Sequence, residues 1–225
     1  ATIFLATGMI GTRRRLWPER VSRLARLPVE SDSPFWSALL RMDPPPVSEL
    51  APLREMPPPD RAEFLIARIK PLPACAVARL DEALDAVDPP DDCGDPADRP
   101  WLDWREVREM SAGGVSFGAH SHSHTILIRS DPDVARREIA LSRAALERET
   151  GQPPVCFSYP NGEHDAAVRV MVGESGFRIG VTTRSGSVVR GADPLALPRI
   201  LIHEDISRTR PLFALRLALG GRNPR

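Results

Sequence analysis

The spacing of apolar and polar positions changes several times along the chain, and each change marks an element. Ala1 to Thr7 (ATIFLAT) is apolar and rich in strand formers, and Gly8 closes it. This is the pattern of a buried strand leading into a loop. Residues 11–42 alternate polar and aromatic positions, including Trp17 and Trp36, and read as mostly helical. Pro44–Pro46 and Pro57–Pro59 punctuate the next stretch. Asp60 can cap a helix from Arg61 to about Lys70, and a second helix runs from about Ala74 to Ala86. Residues 88–100 are loop by composition. Prolines at this density exclude long uninterrupted elements. Residues from about 40 to 100 are therefore read as a Pro-rich helical insertion in a single domain spanning 1–225.

From Trp101 the pattern is regular. A helix over Trp101–Ala112 is stopped by Gly113-Gly114, and Val115–Ala119 is a short strand. Asp131-Pro132 opens a helix with a capping residue and a proline in the first turn, and Gly151 ends it. That helix is expected to place Val134, Ile139, Leu141, Ala145 and Leu146 on an apolar face, with Arg136, Arg143 and Glu147 opposite. Strands follow at Val155–Tyr159, Phe177–Thr183 and Leu197–His203, with a helix from Asp165 to about Ser175 between the first two. Strands alternating with helices predict an α/β fold with a mainly parallel sheet. A (β/α) barrel is the leading arrangement, and such barrels carry their chemistry at the C-terminal ends of the strands.

Composition narrows the function classes. The chain has 225 residues, of which 42% are apolar, enough for a real core, and 30 basic side chains balance 30 acidic ones. That balance disfavours a nucleic-acid partner held by bulk charge. Every basic residue except Lys70 is arginine, which together with 24 prolines reads as the bias of a GC-rich genome. No apolar run approaches the roughly 20 residues of a membrane-spanning helix. Cys75, Cys93 and Cys156 are too few and too scattered for a disulfide framework or zinc ribbon.

The densest chemistry is Gly118-Ala119-His120-Ser121-His122-Ser123-His124, which follows a strand. If the segment stays extended, the three rings share one face. If it turns helical at once, His120 and His124 become i, i+4 neighbours, with Cβ atoms about 5–6 Å apart. The second geometry suits two imidazoles on one zinc ion, although a catalytic zinc usually takes three protein ligands and a water. The serines can orient the rings through hydrogen bonds. A plain polar loop is the competing reading. Phe157-Ser158-Tyr159-Pro160-Asn161-Gly162 also closes a strand. Its proline and glycine make a tight turn whose backbone N–H groups can serve an oxyanion.

Together these stretches resemble the polysaccharide deacetylase family, the NodB homology domain. The similarity runs through WREVREMSAGGVSFGAHSHSH, EIALSRAALERETG, FSYPNG and SGFRIGVTT, and ATIFLATGMIG is similar to the family's second strand and loop. The resemblance implies a distorted (β/α) barrel, a divalent metal, usually Zn²⁺, and removal of N-acetyl groups from amino sugars of a polysaccharide or oligosaccharide. His120 and His124 match the family's metal-binding histidines, with His122 at a variable position between them. The Asn161 N–H matches the oxyanion donor, and Tyr159, Pro160 and Gly162 fall at substrate-binding positions. Leu201-Ile202-His203 fits the family's leucine-x-histidine motif, in which the histidine is the general acid. Arg199 is a candidate for a sugar or phosphate oxygen, or for a structural salt bridge, and His164 for the rim of the groove.

The family's paired aspartates supply the general base and the third metal ligand. They are expected upstream of Ala1, so neither role is assigned within this chain, which reads as N-terminally truncated. Asp91-Asp92-Cys93-Gly94 imitates the pattern but follows two prolines rather than a strand. Two other readings stay open: a non-catalytic carbohydrate-binding relative, and a metal-dependent amidohydrolase acting on a small amide.

Overall fold

The protein is described by a computed structural model that covers residues 1–30, 32–88, 99–203 and 208–220. The Asp91-Asp92 pattern and Cys93 lie outside these residues. The chain divides into two compact units, one of residues 1–10 and 103–225 and the other of residues 11–102.

The first unit is α/β. Its strands are β1 (Thr2–Leu5), β2 (Ser116–Ala119), β3 (Cys156–Ser158), β4 (Ile179–Ser185) and β5 (Leu197–Arg199). They form one sheet in the order β1-β2-β3-β4-β5, with every pairing parallel. Parallel strands laid down in chain order belong to a distorted (β/α) barrel and not to a doubly wound sheet, whose order reverses at a switch point. Among the described residues β1 and β5 are the edges of the sheet.

The helices of this unit are α6 (Trp104–Ala112), α7 (Pro132–Thr150), α8 (Ala166–Glu174) and α9 (Arg210–Ala218), after α1–α5 of the second unit. Each crossover helix starts where a short polar side chain satisfies an orphan N–H. Asp103 and Glu106 form a reciprocal capping box on α6. Asp131 accepts from the Asp133 N–H on α7, and Asp165 from the Val168 N–H on α8. The buried face of α7 comprises Ala135, Ile139, Ser142, Ala145 and Leu146. This corrects the expected face, because Val134 and Leu141 are 40% and 43% exposed. Beneath the sheet, the Phe157 ring packs edge-on against Tyr159 at 5.3 Å and Phe177 at 5.2 Å. Burying each such ring contributes roughly 1.5–3 kcal/mol. Phe177 does this from just before β4, so that strand begins two residues later than expected. β5 stops at Arg199, short of the expected His203, and Leu201 and Ile202 beyond it are exposed. α9 lies where the sequence pattern predicts no element.

The second unit is helical: α1 (Trp17–Leu24), α2 (Pro34–Leu40), α3 (Ala51–Arg54), α4 (Pro58–Ile69) and α5 (Ala74–Leu84). It begins at Gly11, well before the expected insertion boundary near residue 40, because α1 and α2 share one core with α4 and α5. Val21, Phe35, Trp36, Leu65, Ile69 and Leu84 are all fully buried there. Two arginines are buried with them, and both have partners, as buried cations require. Arg61 donates to the carbonyls of Ala25, Leu27 and Met56. Arg20, 1% exposed, lies 2.7 Å from Asp81 and 2.9 Å from Asp85. Burial pushes the Asp81 carboxyl above its usual value, against the pull of Arg14 and Arg20.

Candidate functional site

The C-terminal ends of β1, β2 and β3 meet at the histidine cluster. His120 directly follows β2, and its N–H donates to the Leu5 carbonyl of β1 at 2.9 Å. Its ring Nδ1 lies 2.6 Å from the Ser158 carbonyl of β3. A carbonyl only accepts, so Nδ1 carries the proton and Nε2 presents its lone pair. Burial holds the His120 pKa below its ordinary value, opposed by the Ser158 bond and reinforced by the Arg199 charge. The ring is therefore neutral near pH 7, the state in which imidazole ligates a metal.

His124 joins it with a ring-centroid separation of 4.8 Å and an edge-to-face angle of 78°. Neither anticipated backbone geometry produces this approach. The segment is neither strand nor helix after Ala119, and Ser121 and His124 have φ of 58° and 64°. A left-handed loop folds back and returns the second ring to the first. His122 points elsewhere: its Nδ1 is 3.0 Å from Thr7 Oγ1, and its carbonyl accepts from the Gly8 N–H at 2.8 Å. It ties the loop to the end of β1. On the other side, Glu138 of α7 accepts from the N–H groups of His122 and Ser123. Glu138 is not marked in the sequence, since one acid on the polar side of a helix carries no signal of its own.

The second motif forms a tight turn over Pro160–Gly162, next to β3. Asn161 has φ of 59° and Gly162 of 73°. The Gly162 N–H bonds back to the Tyr159 carbonyl and the Glu163 N–H to Pro160. No carbonyl of the described residues accepts from the Asn161 N–H. Pro160 is buried. Tyr159 is fully buried, and its hydroxyl donates to the Leu195 carbonyl at 2.8 Å, so its side chain packs inward and does not line an open groove. The same burial raises its pKa. The partly buried ring of His164 lies 5.0 Å from that of Tyr159, and burial, Arg169 and Arg184 lower its pKa. Arg199 makes no ion pair with a described residue, and its Nε donates to the Thr182 carbonyl at 2.7 Å. His203 is exposed and lies past the end of β5.

His120 and His124 offer two neighbouring imidazoles at the strand ends, a donor chemistry that suits zinc. Among the described residues, no group of three or more His, Cys, Asp or Glu side chains forms a possible metal site.

The α/β unit carries its histidines and a Pro-Asn-Gly turn at the C-terminal edge of a parallel sheet, and part of the chain is similar to known proteins. Residues 84–180 match the polysaccharide deacetylase family. A curated relative, "Putative polysaccharide deacetylase YxkH" of Bacillus subtilis (strain 168), is 26% identical over 102 residues, which are 45% of this chain and 37% of that protein. The chain thus spans well under half of that relative's length. Among solved structures, Streptococcus pyogenes deacetylase PplD in complex with acetate is similar at 25% identity and a TM-score of 0.48 over 54% of this chain and 51% of that one. A polysaccharide deacetylase from Bacillus cereus is similar at 22% identity and a TM-score of 0.49 over 62% and 47%. No helix among the described residues is long and apolar enough to cross a membrane.

Proposed function

We propose that the protein removes N-acetyl groups from amino sugars of a polysaccharide, with His120 and His124 holding a divalent metal ion, zinc for preference. The observation that carries this reading is the approach of the two rings at the strand ends, with the His120 Nδ1 proton committed to Ser158. When bound, the ion supplies Lewis-acid polarisation of the acetyl carbonyl and lowers the pKa of the attacking water. The rest falls to the chain. Ser158 fixes the tautomer and ring plane of His120. No carbonyl of the described residues accepts from the Asn161 N–H, which is the donor proposed for the developing oxyanion, a role for which loss of one donor typically costs about 10²–10³ in rate. Gly162 and Pro160 set the direction of that N–H, and the buried Tyr159 holds the turn from beneath. His203 is proposed as the general acid that protonates the departing amine. A third metal ligand and a general base complete the machinery, and the described residues assign neither.

The test is acetate release from N-acetylglucosamine oligomers by the full gene product, with zinc and after chelation. Release that chelator abolishes, zinc restores and His120→Ala or His124→Ala removes is the expected result. Binding of the oligomers without release would favour the non-catalytic relative, and release only from small amides would favour the amidohydrolase.

A further inference from the structure

His120 and His124 are held in different ways. His120 is fixed by the sheet itself, through its N–H on Leu5 and its Nδ1 on Ser158. His124 lies four residues on, beyond a loop with left-handed backbone at Ser121 and at His124 itself. Such conformations in side-chain-bearing residues persist only where the surroundings over-determine them. On the β1 side, Thr7 and Gly8 hold Ser121 and His122. On the α7 side a single carboxylate holds the residues next to His124. Glu138 Oε2 accepts from the His122 N–H at 2.9 Å and the Ser123 N–H at 2.7 Å, and its Oε1 accepts from Ser123 Oγ at 2.9 Å. A carboxylate has about four acceptor positions, so this loop fills most of them. Ser123 Oγ is also 2.7 Å from Thr125 Oγ1, which extends the clamp across His124.

We propose that Glu138 is the positioning residue of the histidine pair, setting the place of the His124 ring against that of His120. The inference rests on the metal-binding reading of the pair and adds a residue that reading does not contain. It makes the loop, and not either ring alone, the unit that a metal would find preformed.

The experiment compares wild type, Glu138→Ala and Glu138→Gln in the full chain by two readouts. The first is hydrogen exchange of the backbone amides, which needs no metal. Glu138→Ala should speed exchange at His122 and Ser123 at least about tenfold while β2 and β3 keep their protection. Glu138→Gln should restore most of it, because its amide oxygen still accepts from both N–H groups. The second is titration with Co²⁺, followed by its visible absorption. Glu138→Ala should weaken binding about 10–100-fold, with Glu138→Gln much closer to wild type. Unchanged loop exchange in Glu138→Ala, or a general loss of protection across the sheet, overturns the proposal. So does cobalt affinity equal to wild type. If the wild-type chain takes up no cobalt, the metal reading falls, and the exchange result alone decides whether Glu138 fixes the loop.

Discussion

Gly151 and Gly162 offer a matched pair for separating backbone strain from crowding. Both lie in the α/β unit, with φ of 74° and 73°. A Cβ added at Gly151, just past the end of α7, meets nothing within 4 Å. The same atom at Gly162 overlaps Thr183 Oγ1 and stands 2.5 Å from the Thr183 backbone N. The hydroxyl can rotate away, but the backbone of β4 cannot. The left-handed conformation costs an L-residue about 1–2 kcal/mol at either position. Overpacking adds about 1–3 kcal/mol at Gly162 alone. Gly151→Ala should therefore lose about 1–2 kcal/mol and Gly162→Ala about 2–5 kcal/mol. Urea denaturation followed by far-UV circular dichroism measures both against wild type, with equal m-values required for the comparison. Equal losses would show that the Gly162 turn yields freely and would remove the argument that it aims the Asn161 N–H. The activity readout is separate: acetate release should fall in Gly162→Ala and remain near wild type in Gly151→Ala.

Other expectations follow from single contacts. His120 and His164 both have lowered pKa values in the folded state, chiefly through burial, so the unfolded chain binds protons first as the pH falls. Their contribution to stability is full above the unfolded value of about 6.5 and diminishes as the pH drops through it, and His120→Asn should flatten the slope of thermal midpoint against pH in that window. Arg20→Ala strands carboxylates in the helical unit and should cost roughly 3 kcal/mol, the low end of the range for a broken buried pair, since Asp85 is 42% exposed. A double-mutant cycle with Asp81→Asn measures the coupling, and additive losses would refute it. Asp103→Ala removes half of the capping box on α6 and should cost about 1 kcal/mol in denaturant unfolding, with Asp103→Asn close to neutral.

The alternation of strand and helix after Trp101 was legible because each boundary carries its own chemistry, from Asp131-Pro132 and Gly151 around α7 to Asp165 before α8. The apolar face of α7 was harder to read. Hydrophobicity placed Val134 and Leu141 inward, whereas close packing favours the small Ala135 and Ser142, whose hydroxyl satisfies itself on the Ile139 carbonyl. The two histidines were found by type and spacing, but the backbone that joins them was not. Left-handed conformations at Ser121 and His124 leave no mark in a single sequence, because neither residue is glycine. The burial of Tyr159 was not legible either, because the acceptor that draws its hydroxyl inward is the carbonyl of Leu195, 36 residues later. The true start of the helical unit was hidden because Trp36 and its neighbours find their core only in helices beyond the prolines.

The parallel pair β1–β2 joins Thr2 to Ser116, although the whole helical unit lies between them in the chain. The Gly11 N–H donates to the Leu102 carbonyl at 2.9 Å, so that unit begins and ends at one point. Once its own core has formed, the connection left to close shrinks from roughly 110 residues to roughly 20, which lowers the entropic cost of pairing by about 1.5 kcal/mol. Residues 11–102 thus leave the chain and rejoin it at hydrogen-bonded residues, Gly11 and Leu102. Replacing them with a brief glycine-serine bridge should leave the β1–β2 register intact, and evolution could exchange them without redrawing the sheet.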